Sequence, residues 1–205
     1  AQLPHIGMFC DEMRDSLRGP WGNDAKGAFV IGRMGYAAGV KFGLAGGIAH
    51  PQLVSDKEST VPAFWAAQPE QMISYVSCHD DLCLADRLKA TLPGLSALEM
   101  NALAKLAATA VFTSQGIPFW YAGDEILRDK QGVANSYKSP DAINAINWGR
   151  KTSQRDFFDY VRGLIAMRKA HPSFRMGDAD LIAKHLEFLP VPVSYTHLRA
   201  HETLA

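Results

Sequence analysis

The stretch that decides the fold is GIPFWYAGDEILRDKQGVANSYKSPDAIN, residues 116–144. Its apolar run 117–121 predicts a buried strand, which leads into the acidic turn Gly123-Asp124-Glu125 and then into a long polar loop. An apolar strand that delivers polar groups into a loop at its carboxyl end is how a β/α barrel builds an active site. The segment therefore predicts a strand and a candidate functional loop in a fold of this kind.

The same pattern occurs once before in the chain. The run 72–78 predicts a strand that leads directly into His79-Asp80-Asp81. Residues 96–111 predict a helix between the two strands, because a capping box opens the segment and apolar residues recur at helical spacing. Two strand-then-acid units separated by a helix indicate parallel β/α units and favour an enzyme.

Weaker patterns organise the rest of the chain. Residues 5–10 predict a short strand, and the glycine-rich segment 19–47 predicts a loop with only short helical pieces. Apolar residues across 157–168 share one helical face, and the pair 171–172 (His-Pro) ends that helix. Residues 180–189 predict two short strands.

Composition bears on the class of partner. Of the 205 residues, 47% are hydrophobic and 20% charged, and 21 basic residues balance 21 acidic ones. We therefore expect no nucleic-acid partner and no membrane association, since no basic run is present and no apolar run approaches the roughly 18 residues of a membrane span. A neutral sugar needs no charge complementarity, so the balance fits a carbohydrate. No signal peptide is visible, and localisation, cytoplasmic or secreted, stays undetermined.

Three motifs carry a resemblance to a known family. YVSCHDDLCLADRL, TSQGIPFWYAGDEILRDKQGVANSYKSPDAINAINW and FRMGDADLIAKHLEFLP resemble the type I pullulanases of the α-amylase superfamily, over roughly residues 5–190. The resemblance implies an α/β fold: the C-terminal part of a (β/α)8 TIM barrel, from about strand six to helix eight, in residues 1–175. It also implies that residues 176–192 begin a β-sandwich domain.

The resemblance implies a retaining glycoside hydrolase that cleaves α-1,6-glucosidic links in pullulan, starch or glycogen, so the expected partner is an α-glucan polysaccharide. Glycoside hydrolysis needs an acid and a nucleophilic carboxylate, and a third carboxylate can stabilise the transition state. The family's motif places Asp80 in that third role and gives His79 a hydrogen bond to the sugar. The nucleophile and the acid are expected upstream of Ala1, so this chain alone is predicted to be inactive.

Other acidic residues could be mistaken for the missing carboxylates. Asp11, Glu12 and Asp15 stand beside Arg14 and Arg18, and we interpret them as partners in ion pairs. The family uses the turn at 123–125 as a structural element at the barrel mouth, so we do not assign a catalytic role to it.

The polar loop supplies the groups that bind sugars, namely amides, carboxylates and an aromatic ring. By the resemblance, Asn135, Tyr137 and Asp141 contact the glucan. The alternative is a self-packed loop whose Asn and Ser residues form turns. The chain departs from the family pattern at Tyr121, where His is common, and at Asp81, where Asn is frequent.

No cofactor or metal site is predicted. The superfamily includes calcium-binding members, but no ligand cluster in this sequence marks a site. Cys10, Cys78 and Cys83 are too few for a disulfide framework and are interpreted as free thiols.

Several alternatives remain. Isoamylase, glycogen debranching enzyme and α-amylase are rivals within the superfamily, and a glucan-binding relative without catalysis is a rival outside enzymes. A third is an HD-type phosphohydrolase, which uses a His-Asp pair on a helix as metal ligands. Residues 193–205 include VSYTHLRAHET, whose back-translation matches a transposase-end adapter of sequencing libraries, and they are predicted to be an artefact unrelated to the fold.

Overall fold

The computed structural model describes residues 3–55, 61 and 63–190. Within these residues the chain is a helix-rich α/β structure with a small parallel sheet. In chain order its strands and α-helices are β1 (Met8–Phe9), α1 (Asp11–Arg18), α2 (Ala37–Leu44), β2 (Met72–Ser74), α3 (Leu84–Thr91), α4 (Ala97–Thr113), β3 (Ile117–Pro118), α5 (Asp141–Asn144), α6 (Arg150–Ser153), α7 (Arg155–Ala170) and α8 (Ala179–His185). No helix in this described part is long and apolar enough to cross a membrane.

The three strands form one parallel sheet in the order β1-β2-β3. Met8 pairs with Met72, and Ile73 pairs with Ile117. Parallel neighbours need long crossover connections, and here helices supply them: α1 and α2 between β1 and β2, and α3 and α4 between β2 and β3. The carboxyl ends of the strands therefore lie at one edge of the sheet, as the alternation of elements predicted.

The expectation of a buried strand at 117–121 is wrong in both length and burial. The strand β3 has two residues, and Ile117 is 46% exposed. β3 pairs with only one neighbour among the described residues, so one side of it faces outward. By contrast, Met72 and Ser74 of the central strand β2 are fully buried. An apolar run predicts a strand, but the burial of its side chains depends on which strands lie on either side of it.

The two long helices, α4 and α7, form where the sequence predicts them. Ser96 and Glu99 form the predicted capping box of α4, with the Ser96 amide 2.8 Å from the Glu99 carboxylate. Helix α7 spans the predicted apolar face and ends before His171-Pro172. The two helices pack against each other, and Lys105 of α4 lies 2.6 Å from Asp156 of α7. Each fully buried Phe, Val or Leu on such a face contributes about 1.5–3 kcal/mol.

The prediction of two short strands at 180–189 is wrong where the structure has helix α8. Asp178 caps this helix by accepting a hydrogen bond from the Leu181 amide at 2.8 Å, and Ile182 is its buried residue. A short apolar run cannot be assigned by periodicity alone, and here the N-cap side chain favours the helix. Residues 191–192 of the predicted sandwich, and the predicted adapter segment 193–205, lie outside the described residues.

The glycine-rich segment 19–47 is a loop with short helical pieces, as predicted, and a buried arginine fixes its start. The Arg87 guanidinium donates to the carbonyl oxygens of Pro20 and Asn23 at 2.8 and 2.9 Å and pairs with Asp24 at 2.8 Å. Gly19 is required at the close approach, since a Cβ there would lie 1.8 Å from the Lys26 carbonyl oxygen. The loop is thereby attached to α3, the helix that follows the His-Asp motif.

Candidate active site

The two strand-then-acid segments meet at the carboxyl edge of the sheet. The chain leaves β2 through Ser77, and it leaves β3 through Tyr121 into Asp124. The Ser77 hydroxyl donates a hydrogen bond to the Asp124 carboxylate across the two segments. This contact joins residues 47 positions apart in the sequence. The structure therefore brings together the two motifs that the sequence analysis singled out separately.

His79 and Asp80 project from this edge into solvent. Their side chains are 79% and 80% exposed, and His79 Nε2 lies 3.4 Å from Asp80 Oδ2. The pair sits in an irregular turn between β2 and α3, not within a helix. An exposed carboxylate next to an imidazole is accessible to a sugar hydroxyl, so the geometry is compatible with the predicted roles of both residues.

The next residue, Asp81, has the opposite environment. Its side chain is only 7% exposed, and its Oδ2 lies 2.8 Å from Nη2 of the buried Arg18 and 3.8 Å from Nη1 of Arg87. Arg18 also donates to the Leu82 carbonyl oxygen at 2.9 Å. Asp81 adopts φ 65°, a left-handed conformation that Asp tolerates better than most residues. These bonds from Arg18 hold the turn on its buried side, and His79 and Asp80 lie on its solvent-exposed side.

The ion-pair interpretation of the acids near the N-terminus is confirmed for two of them. Arg14 contacts Asp11 at 3.1 Å and Asp15 at 2.8 Å, and the Tyr75 hydroxyl donates to Asp11 at 2.6 Å. Burial, followed by the bond to Asp11, raises the pKa of Tyr75, which keeps this hydroxyl protonated. Tyr75 immediately follows β2, so its contacts with Asp11 and Arg14 hold the start of the segment that leads to the His-Asp turn.

The interpretation needs two corrections. Arg18 does not pair with those acids, because its guanidinium is buried against Asp81. Glu12 pairs with neither arginine, and its carboxylate instead accepts from the Cys10 thiol at 3.5 Å. Contacts such as Arg18–Asp81 join positions 63 residues apart, and nothing in the local sequence identifies them.

Asp124 is a buried acid, which favours the structural role expected for its turn. It is fully buried, and burial raises its pKa from 3.8 to about 7, while the Ser77 hydrogen bond acts in the opposite direction. Its Oδ1 has no hydrogen-bond partner among the described residues. Glu125 is half-buried and accepts from the Gly123 amide at 3.0 Å. Neither acid is open to solvent in the way that Asp80 is.

Cations from the polar loop pack on the ring of Tyr121. The Arg128 guanidinium lies 5.0 Å from the ring centroid and the Lys130 ammonium lies 5.7 Å from it. The Lys130 amide donates to Asp86 of α3 at 2.7 Å. The start of the loop is therefore held against both the segment after β3 and the helix after β2.

The predicted sugar-binding residues lie on the outer side of this loop. Asn135, Tyr137 and Asp141 are exposed, and 74% of Tyr137 is accessible to solvent. Behind them, the Asn144 side chain donates to the carbonyl oxygens of Ser136 and Ser139 at 2.6 and 2.8 Å. The loop is thus packed on itself and still presents a ring and polar groups outward, which combines the two readings left open by the sequence.

The structure also groups three side chains that the sequence analysis did not connect. Cys78, His79 and Asp80 place one ligand atom each within 4.8 Å of one another. The three cysteines are free, as expected. The signal for this group was present in the sequence as three consecutive metal-ligating residue types, but Cys78 was interpreted only as a thiol.

No protein-family model matches the chain. The pullulanase of Bacillus subtilis is 36% identical over 188 residues, which cover 92% of this chain and 25% of that relative. A crystal structure of the pullulanase from Paenibacillus barengoltzii, in complex with maltohexaose and α-cyclodextrin, aligns with a TM-score of 0.84 and 44% identity. That alignment covers 93% of this chain and 28% of the other.

The type I pullulanase of Bacillus subtilis, solved with maltose, aligns with a TM-score of 0.83 and 34% identity over 92% of this chain and 25% of that one. The chain thus spans about a quarter of the length of the relatives that it matches. Within that quarter, each of these alignments extends over more than nine-tenths of this chain.

Proposed function

We propose that this chain, a homologue of the pullulanases, is part of a retaining glycoside hydrolase that cleaves α-1,6-glucosidic links in pullulan, starch or glycogen. The observation that carries the proposal is the exposed His79-Asp80 pair at the carboxyl end of β2, in a chain whose sequence and fold follow the pullulanases. The buried neighbours of this pair hold the turn in place and leave these two side chains available to a ligand.

Asp80 stabilises the transition state in this mechanism. Cleavage of a glycosidic bond passes through an oxocarbenium-like state that is richer in positive charge than the substrate. A carboxylate hydrogen-bonded to the hydroxyls of the reacting sugar gains most in that state, so it raises turnover more than binding. His79 binds the same sugar through its ring. The nucleophile and the general acid come from a part of the full-length polypeptide outside residues 1–205.

We place the three strands as strands six to eight of a (β/α)8 barrel. The parallel order β1-β2-β3, the helical crossovers and the polar segments at the carboxyl ends of β2 and β3 support this placement. Residues 1–175 then form part of the barrel, and residues 176–192 lead into a β-sandwich domain.

The loop after β3 contributes substrate binding. The ring of Tyr137 is exposed and can stack on the apolar face of a glucose unit, and Asn135 and Asp141 offer hydrogen bonds to hydroxyls. The glucans in the crystal structures of the Paenibacillus barengoltzii and Bacillus subtilis relatives support this choice of ligand.

Two other functions are weighed against this one. An HD-type phosphohydrolase is disfavoured, because its His-Asp pair lies on a helix and here the pair lies in the turn after β2. A glucan-binding relative that no longer cuts retains every feature described in this chain. It differs only in the carboxylates contributed from outside these residues.

The experiment measures reducing ends released from pullulan and from linear α-1,4-maltodextrin by the full-length polypeptide that contains this chain. We expect hydrolysis of pullulan with maltotriose as the product, and much slower hydrolysis of the linear glucan. Binding of both glucans without hydrolysis would establish the glucan-binding alternative. Hydrolysis of the linear glucan alone would place the protein with the α-amylases.

A further inference from the structure

Three consecutive side chains at the carboxyl end of β2 form a group with the composition of a metal site. The Cys78 thiol sulfur, a ring nitrogen of His79 and a carboxylate oxygen of Asp80 lie within 4.8 Å of one another. In the part of the chain that the structure describes, no other three His, Cys, Asp or Glu side chains come this close. His79 and Asp80 are exposed on the outer side of the turn, and Cys78 beside them is half-buried, so a hydrated ion reaches the group from the His79-Asp80 side.

One ligand–ligand distance in the group already fits a tetrahedral ion. Zinc binds sulfur at about 2.3 Å and nitrogen or oxygen at about 2.0–2.2 Å, so neighbouring ligand atoms in such a site lie about 3.3–3.6 Å apart. His79 Nε2 and Asp80 Oδ2 are already 3.4 Å apart. The ligand atoms of the group lie at most 4.8 Å apart, so side-chain rotation needs to close the widest separation by roughly 1 Å.

The backbone beneath the group is held in place. Asp81 is fixed to Arg18 at 2.8 Å, and Arg18 is fixed to the Leu82 carbonyl oxygen at 2.9 Å. The ligand-bearing residues therefore start from an ordered turn, and an ion needs to order only three side chains. Preorganisation of this kind reduces the entropy lost on binding.

We propose that Cys78, His79 and Asp80 bind one Zn²⁺ ion, with the fourth position open to water or to a sugar hydroxyl. A mixed set of thiolate, imidazole and carboxylate ligands suits Zn²⁺ better than Ca²⁺ or Mg²⁺, which take oxygen ligands. On binding, the Cys78 thiol gives up its proton to solvent and the thiolate coordinates the ion.

The site overlaps the predicted sugar-binding pair, and this consequence rests on the proposed function. A Zn²⁺ ion held by His79 and Asp80 occupies the groups that would contact the reacting sugar. Zinc is therefore expected to inhibit hydrolysis of the glucan. This inhibition depends on Cys78 as a ligand of the ion, although Cys78 has no assigned part in the hydrolysis.

The test uses the full-length polypeptide that contains this chain. Co²⁺ serves as a spectroscopic substitute for Zn²⁺, because a cobalt–thiolate bond gives an absorption band that oxygen ligands do not. We expect one equivalent of Co²⁺ with a thiolate band, and displacement of that ion by Zn²⁺ in a calorimetric titration. Cys78→Ser removes the band, and both Cys78→Ser and His79→Asn weaken Zn²⁺ binding by at least about tenfold, or about 1.4 kcal/mol.

The matched control is His185→Asn, which removes an exposed histidine at the end of α8 and leaves Zn²⁺ binding unchanged. A thiolate band that survives in Cys78→Ser, or no band in the unmodified protein, overturns the proposal. Binding is measured without glucan, so its failure leaves the proposed function standing. If Zn²⁺ binds as expected but does not slow pullulan hydrolysis, the site stands and the assignment of Asp80 to the hydrolysis is wrong.

Discussion

The segments after β2 and after β3 look alike in sequence and differ in the folded chain. Each runs from an apolar strand into acidic residues, yet Asp80 is 80% exposed and Asp124 is fully buried. Asp80 contacts His79 at the surface, whereas Asp124 accepts from Ser77 in the interior. A carboxylate that contacts substrate must be accessible, while one that holds two segments together is better enclosed. The strand-then-acid pattern is therefore the same in both segments, and the burial of the two acids is what distinguishes them.

The largest effect is expected from substitution of Asp80, the exposed acid of the two. In the full-length polypeptide, we expect Asp80→Asn to lower kcat on pullulan by about 1000-fold, or about 4 kcal/mol, because it removes the charge that we propose acts in the transition state. Asp141→Ala is the matched control, since that carboxylate is predicted to act in binding, and it raises KM more than it lowers kcat. Equal losses of kcat in the two variants would contradict the assigned roles.

The second prediction concerns the residue directly after Asp80. Asp81→Ala leaves the buried Arg18 without its carboxylate partner, and we expect a loss of about 3–5 kcal/mol in the free energy of unfolding. Urea unfolding measures it. Asp159→Ala serves as a control, because its ion pairs with Arg155 and Arg162 are exposed and its loss stays below about 1 kcal/mol. A similar small loss for Asp81→Ala would show that the Arg18 pair does not anchor the turn.

Local sequence signals predict the helices of this chain better than they predict the burial of its strands. Helices α4 and α7 were predicted correctly because caps and 3.6-residue periodicity are local signals. The burial of the strands was not predicted correctly, since Ile117 is apolar like Met72 but lies on an edge strand of the described sheet. The Arg18–Asp81 pair joins residues 63 positions apart. Such a contact exists only once the parallel sheet has formed.

The site was predictable to a similar degree. The motif predicted His79 and Asp80 as site residues, and the fold places them at the sheet edge where a parallel β/α unit carries its polar groups. Their exposure, and the burial of Asp124, follow from the neighbouring strand and from Ser77, which the pattern does not encode. The helix α8 was missed because its decisive signal is the single N-cap residue Asp178.

The third prediction concerns the buried acid Asp124 and the pH dependence of the free energy of unfolding. Asp124 has a folded-state pKa of about 7, above its ordinary 3.8, so its folded state binds the proton more tightly than its unfolded state does. The associated stability is fully present below pH 3.8 and is lost as pH rises through 7, by about 4 kcal/mol in all. Asp124→Asn removes this loss. Urea unfolding at pH 5, 6, 7 and 8 measures it, and an unchanged pH dependence in the variant would contradict the buried-acid account.

The smallest expected effect lies in the loop after β3. We expect Tyr137→Ala to raise KM for pullulan by about three- to tenfold, up to about 1.4 kcal/mol, and to leave kcat nearly unchanged, because we propose that the exposed ring stacks on a sugar. Tyr137→Phe keeps the ring and is expected to keep KM. A fall in kcat at constant KM would place Tyr137 in the chemical step instead.

The most direct test of the central claim measures Asp80→Asn and Asp124→Asn together in the full-length polypeptide, each for kcat on pullulan and for the free energy of unfolding. The account predicts that Asp80→Asn lowers kcat about 1000-fold and changes stability by less than about 0.5 kcal/mol. It predicts that Asp124→Asn alters the pH dependence of unfolding and keeps kcat within about tenfold. The reverse result, with kcat lost in Asp124→Asn and retained in Asp80→Asn, would contradict the assignment of roles by burial.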